Sequence, residues 1–264
     1  MKMTGNTILM TGGGSGIGRA MAEAFQKLGN EVIISGRTQK TLDEVTAANP
    51  GMKSLTLDIA DAGSIEAFAG QITQQFPSLN VLINMAGVMK NEYLLNPASV
   101  SIAEDTIATN LLGPIRLTEA LLPLLMKQPA AIVMTVTSGL ASVPLFMTPT
   151  YCATKAAIHS YTQSLRYQLK DTPVQVIELV PPYVQTELMG ERQASDPNAM
   201  PLADYIAETM SILTNSPEVT EVLVERVKPQ RTAESSGNYD AFFNKYSDTM
   251  AKARQAEWDA LKNA

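Results

Sequence analysis

Thr7-Ile-Leu-Met-Thr11-Gly12-Gly13-Gly14-Ser15-Gly16-Ile17-Gly18 is the stretch whose reading decides the fold. A short apolar run, residues 7–10, enters a glycine-rich turn, and a helical period starts before the turn has ended. Glycines in that position let the backbone turn tightly, approach a pyrophosphate closely and pack the next helix against the sheet. The helix then presents its free N-terminal amides and positive dipole end to phosphate groups. Gly12-Gly13-Gly14 alone is only a turn; its place between strand and helix points to a nucleotide.

The same alternation continues outward from this stretch. Strand-like runs at 31–35, 54–57, 81–84, 131–136 and 174–180 are separated by helical periods at about 16–29, 38–48, 61–76, 99–127 and 149–170. Gly29-Asn30, Asn49-Pro50-Gly51, Pro77 and Pro129 supply the stops. Strands alternating with helices imply parallel pairing through crossover helices, hence an α/β, doubly wound sheet. Residues 222–224 add a candidate edge strand. No linker divides the first 185 or so residues, and the chain is expected to form a single domain over 1–264.

Beyond that point the pattern loosens. Residues 186–217, with Pro197, Pro201 and Pro217, read as a flap over a pocket or as an ordinary surface excursion. A C-terminal helical extension, about 238–262, sets Tyr239, Phe242, Phe243, Tyr246 and Met250 at helical spacings. That aromatic face docks either on its own domain or on another subunit.

Composition removes several function classes. With 45% hydrophobic and 17% charged residues in 264, the chain is expected to be globular and able to bury a large core. A net charge of −6 argues against a nucleic-acid surface, which needs clustered Lys and Arg. Cys152 is the only cysteine, so neither an internal disulfide nor a cysteine metal cluster can form. The apolar stretch 111–126 is broken by Pro114 and Pro123 and carries Arg116 and Glu119, which speaks against a membrane span. The run 7–10 is too short for a signal sequence, and a cytoplasmic location is expected.

Ser138, Tyr151 and Lys155 carry the chemistry. On a helix, the spacing of four puts Tyr151 and Lys155 on one face, an ammonium beside a phenol. Reducing a carbonyl by hydride builds oxyanion charge that needs a proton and a hydrogen bond at one oxygen. A free phenol titrates near ~10, so acting as a base in the reverse oxidation near neutrality requires a lowered pKa, by roughly three units or about 4 kcal/mol. Other chemistries have fewer residues to draw on. His159 is the only histidine and lacks recognisable ligand partners, so a structural role is expected of it. Cys152 diverges from Tyr151 on a helix and reads as a small packing residue.

Taken together, Thr11-Gly12, Gly16-Ile17-Gly18, Asp58, Asn84-Met85-Ala86-Gly87, Asn110, Ser138 and Tyr151 with Lys155 resemble the short-chain dehydrogenase/reductase family over about residues 5–187. The resemblance implies a Rossmann-type sheet of about seven strands that binds NAD or NADP. It assigns Gly12, Ser15, Gly16, Ile17 and Gly18 to the phosphate turn, and Asp58 and Ile59 to the adenine. It further assigns Asn84, Ala86 and Gly87 to the ribose, Lys155 to the nicotinamide ribose, and Pro181 and Thr186 to the carboxamide side. By the same resemblance Asn110 would hold a water that relays protons through Lys155, and the chain would form a homodimer or homotetramer. Within the family it looks most like the uncharacterised oxidoreductases named after the bacterial D-alanylation operon.

Cofactor choice is read from Ile34-Ser35-Gly36-Arg37-Thr38. No acid stands there to accept from a 2′-hydroxyl, and Arg37 offers a guanidinium to a 2′-phosphate, so NADP(H) is expected, with NAD(H) as the alternative. Two positions depart from the common family pattern: Met85 follows Asn84 in place of a second Asn, and Pro182 follows Pro181 in place of Gly. The stretch 139–150 is largely apolar and holds no Arg or Lys, which favours a neutral, fairly hydrophobic ketone, aldehyde or secondary alcohol. The expected activity is an NADPH-dependent carbonyl reductase, reversible as an alcohol dehydrogenase. The rival readings are a non-catalytic NADP(H)-binding sensor and an interaction protein that acts through its aromatic tail.

Overall fold

Ile8 and Met10 face one side of the first strand and Leu9 the other, yet all three are fully buried. A strand covered on both faces needs apolar residues at every position, which explains why these runs show no alternation. The structure is a computed structural model that describes residues 1–97 and 99–263. Its strands are β1 (Thr7–Thr11), β2 (Glu31–Gly36), β3 (Lys53–Thr56), β4 (Val81–Asn84), β5 (Ala131–Val136), β6 (Val174–Leu179) and β7 (Glu221–Val222). They form one seven-stranded sheet in the order β3-β2-β1-β4-β5-β6-β7, every pair parallel.

Helices α1 (Gly16–Lys27), α2 (Gln39–Ala48), α3 (Ala62–Gln75), α4 (Ser99–Ile107), α5 (Gly113–Leu125) and α6 (Pro149–Gln168) supply the crossovers. Met21 and Phe25 of α1 and Leu42 of α2 join Ile8, Met10 and Ile34 on one face. Phe68 and Ile72 of α3 and Leu117 and Leu121 of α5 join Leu9, Leu82 and Val133 on the other. This is the doubly wound Rossmann sheet expected. The strand order reverses between β1 and β4, opening a crevice outside their carboxyl ends.

The helical period at 99–127 is not one helix. A π-helical turn, Ala108–Leu112, separates α4 from α5. Pro114 has no N–H to return to the carbonyl of Asn110 four residues back, so an α ladder cannot run through this point. Gly113 is needed here as well, since a Cβ would stand 2.4 Å from the carbonyl oxygen of Ile59.

After β6 the chain forms α7 (Glu191–Ser195) and α8 (Leu202–Asn215), with an isolated parallel bridge between Val184 and Met200. Leu213 of α8 returns to the α1 face of the sheet. A short α9 (Lys228–Arg231) leads to α10 (Tyr239–Ala253) and α11 (Gln255–Lys262). Of the tail's aromatic face, Tyr246 and Met250 pack with Tyr151 and Cys152 of α6, and Trp258 of α11 joins them. Tyr239 and Phe243 instead stack on one another, 6.0 Å apart. No described helix is long and apolar enough to cross a membrane.

Candidate active site

The glycine turn closes against the end of β4. Gly12 takes φ of 67°, and a Cβ on it would lie 2.9 Å from the Cα of Ala86. A Cβ on Gly18 would stand 2.3 Å from the carbonyl oxygen of Gly12, so α1 can start this close to the turn only without a side chain there. The Thr11 hydroxyl accepts from the amides of Met85 and Ala86, both at 3.0 Å, and fastens β1 to the β4 turn. Met85 thus replaces an amide side chain while Thr11 supplies the tie. Ser15 is the N-cap of α1 and its side chain makes no capping bond, leaving the hydroxyl and the first amides of the helix for an anion.

Above this turn lies a cavity of about 410 Å³. Gly12, Ser15, Gly16, Ile17, Gly18, Arg37, Asp58, Ile59, Ala86, Gly87, Pro181 and Thr186 line it, together with Ser138, Tyr151 and Lys155. The residues expected at the two ends of a dinucleotide therefore share one continuous cleft. Thr186 crosses over the glycine turn: a Cβ on Gly16 would lie 3.5 Å from it. Gln193 of α7 holds Thr186 there, donating to its hydroxyl at 3.1 Å and to the carbonyl of Val184 at 2.8 Å.

Two expected residues do not line the cleft. Asn84 is buried behind it and donates to Thr118 of α5 at 2.9 Å, so its side chain ties β4 to α5 and the backbone of the following residues faces the cleft. Asn110, in the π-helical turn, is committed to Val88: its Oδ1 accepts from the Val88 amide and its Nδ2 donates to the Val88 carbonyl, both at 2.8 Å. The side chain braces the loop beside Gly87. A part in a proton relay would fall to its main-chain carbonyl, the one Pro114 cannot bond.

At the chemical end, Tyr151 and Lys155 lie one turn apart on α6, with the Lys155 ammonium 5.6 Å from the centre of the Tyr151 ring. Both are buried. Lys155 donates to the Val136 carbonyl at 2.8 Å. Ser138 follows β5, where its Oγ accepts from the Leu140 amide at 3.1 Å. Burial pushes the Tyr151 phenol up, and a hydrogen bond with Ser138 offsets this only in part. The lowered phenol pKa required for oxidation is therefore not a property of the ligand-free cleft, where burial favours the protonated phenol.

Burial lowers Lys155 from its usual 10.5 to about 8. Between these values the folded protein binds fewer protons than the unfolded chain, so this group makes stability rise with pH across that window; below about 8 the buried charge is a cost. Lys155→Met is accordingly expected to stabilise the ligand-free protein near pH 7 by ~1–3 kcal/mol, a gain that shrinks toward pH 10. Thermal unfolding of both proteins at the two pH values checks it, and a lower melting temperature for the variant at pH 7 would contradict it.

Sequence reading missed three buried polar residues around the cleft. Glu92 accepts from the Thr150 amide at 3.0 Å and from its hydroxyl at 2.7 Å, a carboxylate capping the first turn of α6 beside Tyr151. Gln193 sets the position of Thr186, as described above. Arg254, between α10 and α11, is buried against Tyr183. None belongs to a motif, and only the folded chain shows that they are buried. His159 does have carboxylates near it: its Nδ1 lies 2.9 Å from both oxygens of Glu178, and Glu221 is adjacent across β6 and β7. These acids already have partners, since Glu178 accepts from Thr137 and Glu221 from Arg231. Burial raises the Cys152 thiol, which accepts from the Leu145 amide and packs in the core, unlike a nucleophile.

Comparison with known proteins gives the family of the chain. The short chain dehydrogenase family profile matches residues 6–197. The uncharacterized oxidoreductase DltE of Bacillus subtilis is 39% identical over 247 residues, covering 92% of this chain and 97% of the relative. Serine dehydrogenase, solved in a closed form with NADP+, superposes with a TM-score of 0.71 at 26% identity, over 78% of this chain and 88% of that one. A short-chain enzyme of Burkholderia phymatum, solved with NAD, gives a TM-score of 0.76 at 19% identity, over 91% and 96% of the two chains. The profile match runs through both the glycine turn and the tyrosine–lysine helix, and with it this chain belongs to the short-chain dehydrogenase/reductase family.

Proposed function

We propose that this protein interconverts a ketone or aldehyde and an alcohol using NADP(H). The observation that carries the proposal is the single cleft that joins a phosphate-shaped glycine turn to buried Ser138, Tyr151 and Lys155. The residues fit a dinucleotide: the turn has room only for backbone at Gly12 and Gly18, and the first amides of α1 are free. Gly12, Ser15, Gly16, Ile17 and Gly18 would hold the pyrophosphate, Asp58 and Ile59 the adenine, and Ala86, Gly87 and Lys155 the ribose. When bound, the nicotinamide supplies or accepts the hydride.

The chain's own residues manage the proton. Tyr151, held protonated by burial, donates to the carbonyl oxygen as charge builds on it, and Ser138 gives that oxygen a second hydrogen bond. Lys155 stabilises the phenolate left behind. Glu92 and Asn110 act through position, one fixing the start of α6 and the other the Val88 loop. Exposed Arg37 on the cleft wall supports a preference for NADPH over NADH. The 186–217 segment and the C-terminal helices act as a cover over the substrate side, and assembly into a homodimer or homotetramer completes the proposal.

The test is consumption of NADPH, and separately NADH, against a panel of ketones and aldehydes. Turnover that prefers NADPH supports the reading. Turnover that prefers NADH would remove Arg37 from it and leave the rest standing.

A further inference from the structure

Glu178 puts a carboxylate on β6 where its neighbours Ile177 and Leu179 are fully buried, and it is itself 1% exposed. A carboxylate taken out of water lowers stability unless donors meet it, and an apolar residue of similar size would pack here without that cost. Two donors meet this one. The Thr137 hydroxyl gives its proton to Oε1 at 2.7 Å, and His159 Nδ1 lies 2.9 Å from both oxygens. A carboxylate only accepts, so Nδ1 is the donor, while Nε2 accepts from the side-chain amide of Gln163 at 3.0 Å. The adjacent acid does not compete for these donors: Glu221, the register partner of Glu178 on β7, is held by Arg231 through two bonds of 2.8 and 2.9 Å.

Both donors lead to the active-site end of β5. Thr137 follows the last residue of that strand and precedes Ser138, and the two line the cleft together. Tyr151, Lys155 and His159 recur at intervals of four and share one face of α6. That face holds three consecutive residues. Lys155 donates to the Val136 carbonyl at 2.8 Å, His159 reaches Thr137 through Glu178, and Tyr151 hydrogen-bonds Ser138. The proposed chemistry uses the first and the last of these ties and leaves the middle one without a part.

We propose that Glu178 and His159 are positioning residues for Ser138. Main-chain bonds hold the amides of Thr137 and Gly139 to the carbonyls of Leu179 and Pro181, at 2.9 and 3.0 Å, and fix where the segment lies. Ser138 has extended backbone, on which successive side chains point to opposite sides, so a tie on the Thr137 side chain controls the direction of the next one. The pair thereby sets where the Ser138 hydroxyl stands relative to that of Tyr151. The inference rests on the oxidoreductase reading for what Ser138 does, and not for the tie itself.

A double-mutant cycle tests it. Thr137→Val keeps the shape of the side chain and removes the hydroxyl; it is expected to lower kcat for ketone reduction about tenfold and to leave KM for NADPH and NADP+ affinity within roughly twofold. Glu178→Gln and His159→Phe should act in the same direction, whereas Thr137→Ser and His159→Asn, which keep a donor, should retain at least about half of kcat. In a Ser138→Ala background Thr137→Val should cost less than about twofold, because its effect passes through Ser138. The same loss in both backgrounds, or full kcat in Thr137→Val, would overturn the proposal and leave the tie as packing only. Nitrogen-15 NMR of the single histidine reads the tie without turnover. Nδ1 is expected to carry its proton, with a signal that moves in Thr137→Val and stays in Ser138→Ala; an unprotonated Nδ1 would overturn the tie. Absence of turnover with any carbonyl, with this signature intact, would overturn the oxidoreductase reading and with it the role given to Ser138, while the tie stands.

Discussion

Tyr151→Phe is expected to lower kcat for ketone reduction by about 10²–10⁴-fold while NADPH affinity stays within roughly twofold of wild type. The change removes one hydroxyl from a ring that is 7% exposed and packed in the core, so shape and volume are kept. What is lost is the hydroxyl we propose as the proton donor, together with its hydrogen bond to Ser138. Lys155 is tied to the Val136 carbonyl, and the Cys152 thiol is turned toward Leu145. Rapid-mixing kinetics of NADPH oxidation, with NADPH affinity titrated by fluorescence, separates the two effects. Retained turnover would move the acid to another group, and a parallel loss of NADPH binding would make Tyr151 a cofactor residue first.

The second large effect concerns cofactor choice. Arg37→Glu should weaken NADPH about 100-fold and leave NADH unchanged or slightly tighter. Arg37 is exposed on the cleft wall and makes no hydrogen bond or ion pair among the described residues, so its loss does not disturb the fold. A charge-assisted pair with a 2′-phosphate contributes about 1.5–3 kcal/mol, and the new carboxylate adds repulsion against that phosphate while accepting from a 2′-hydroxyl. Because the site is exposed, the discrimination should shrink as salt rises. Equal losses for both cofactors, or no loss for NADPH, would show that Arg37 does not read the 2′ position. Thermal unfolding of the ligand-free variant should match wild type.

The parts of this protein that were legible in sequence are those in which local residues meet a local need. Strands such as residues 131–136 are buried on both faces and read as continuous apolar runs. Gly12 and Gly18 were legible because the turn needs backbone without Cβ, whatever else the chain does. That Tyr151 and Lys155 share one helix face follows from their spacing of four. The last strand is less so: its pairing involves only residues 221–222, while Val224 turns into a separate cluster with Val180 and Tyr205.

Side-chain direction was harder to read than position. Asn84 sits where its motif places it, yet Thr118, thirty-four residues later, turns its amide away from the cleft. Asn110 falls inside the helical period at 99–127; the π-helical turn that commits it to Val88 depends on Pro114 and on Gly113 meeting Ile59. Arg254 sits in sequence like a solvated helix end, yet in the fold it is 8% exposed beside Tyr183 and Glu257. Long-range packing decides these three, and no periodicity encodes it.

The central claim is that hydride passes between a nicotinamide cofactor and a carbonyl carbon beside Tyr151. The measurement that tests it most directly is a single-turnover reaction with NADPH deuterated at the transferable C4 position, followed by mass spectrometry of the product. The account predicts an alcohol carrying deuterium on the carbinol carbon, formed by wild type and lost with Tyr151→Phe. Tight NADPH binding with no labelled alcohol from any ketone, aldehyde or keto acid would contradict it and leave a cofactor-binding protein that does no hydride chemistry.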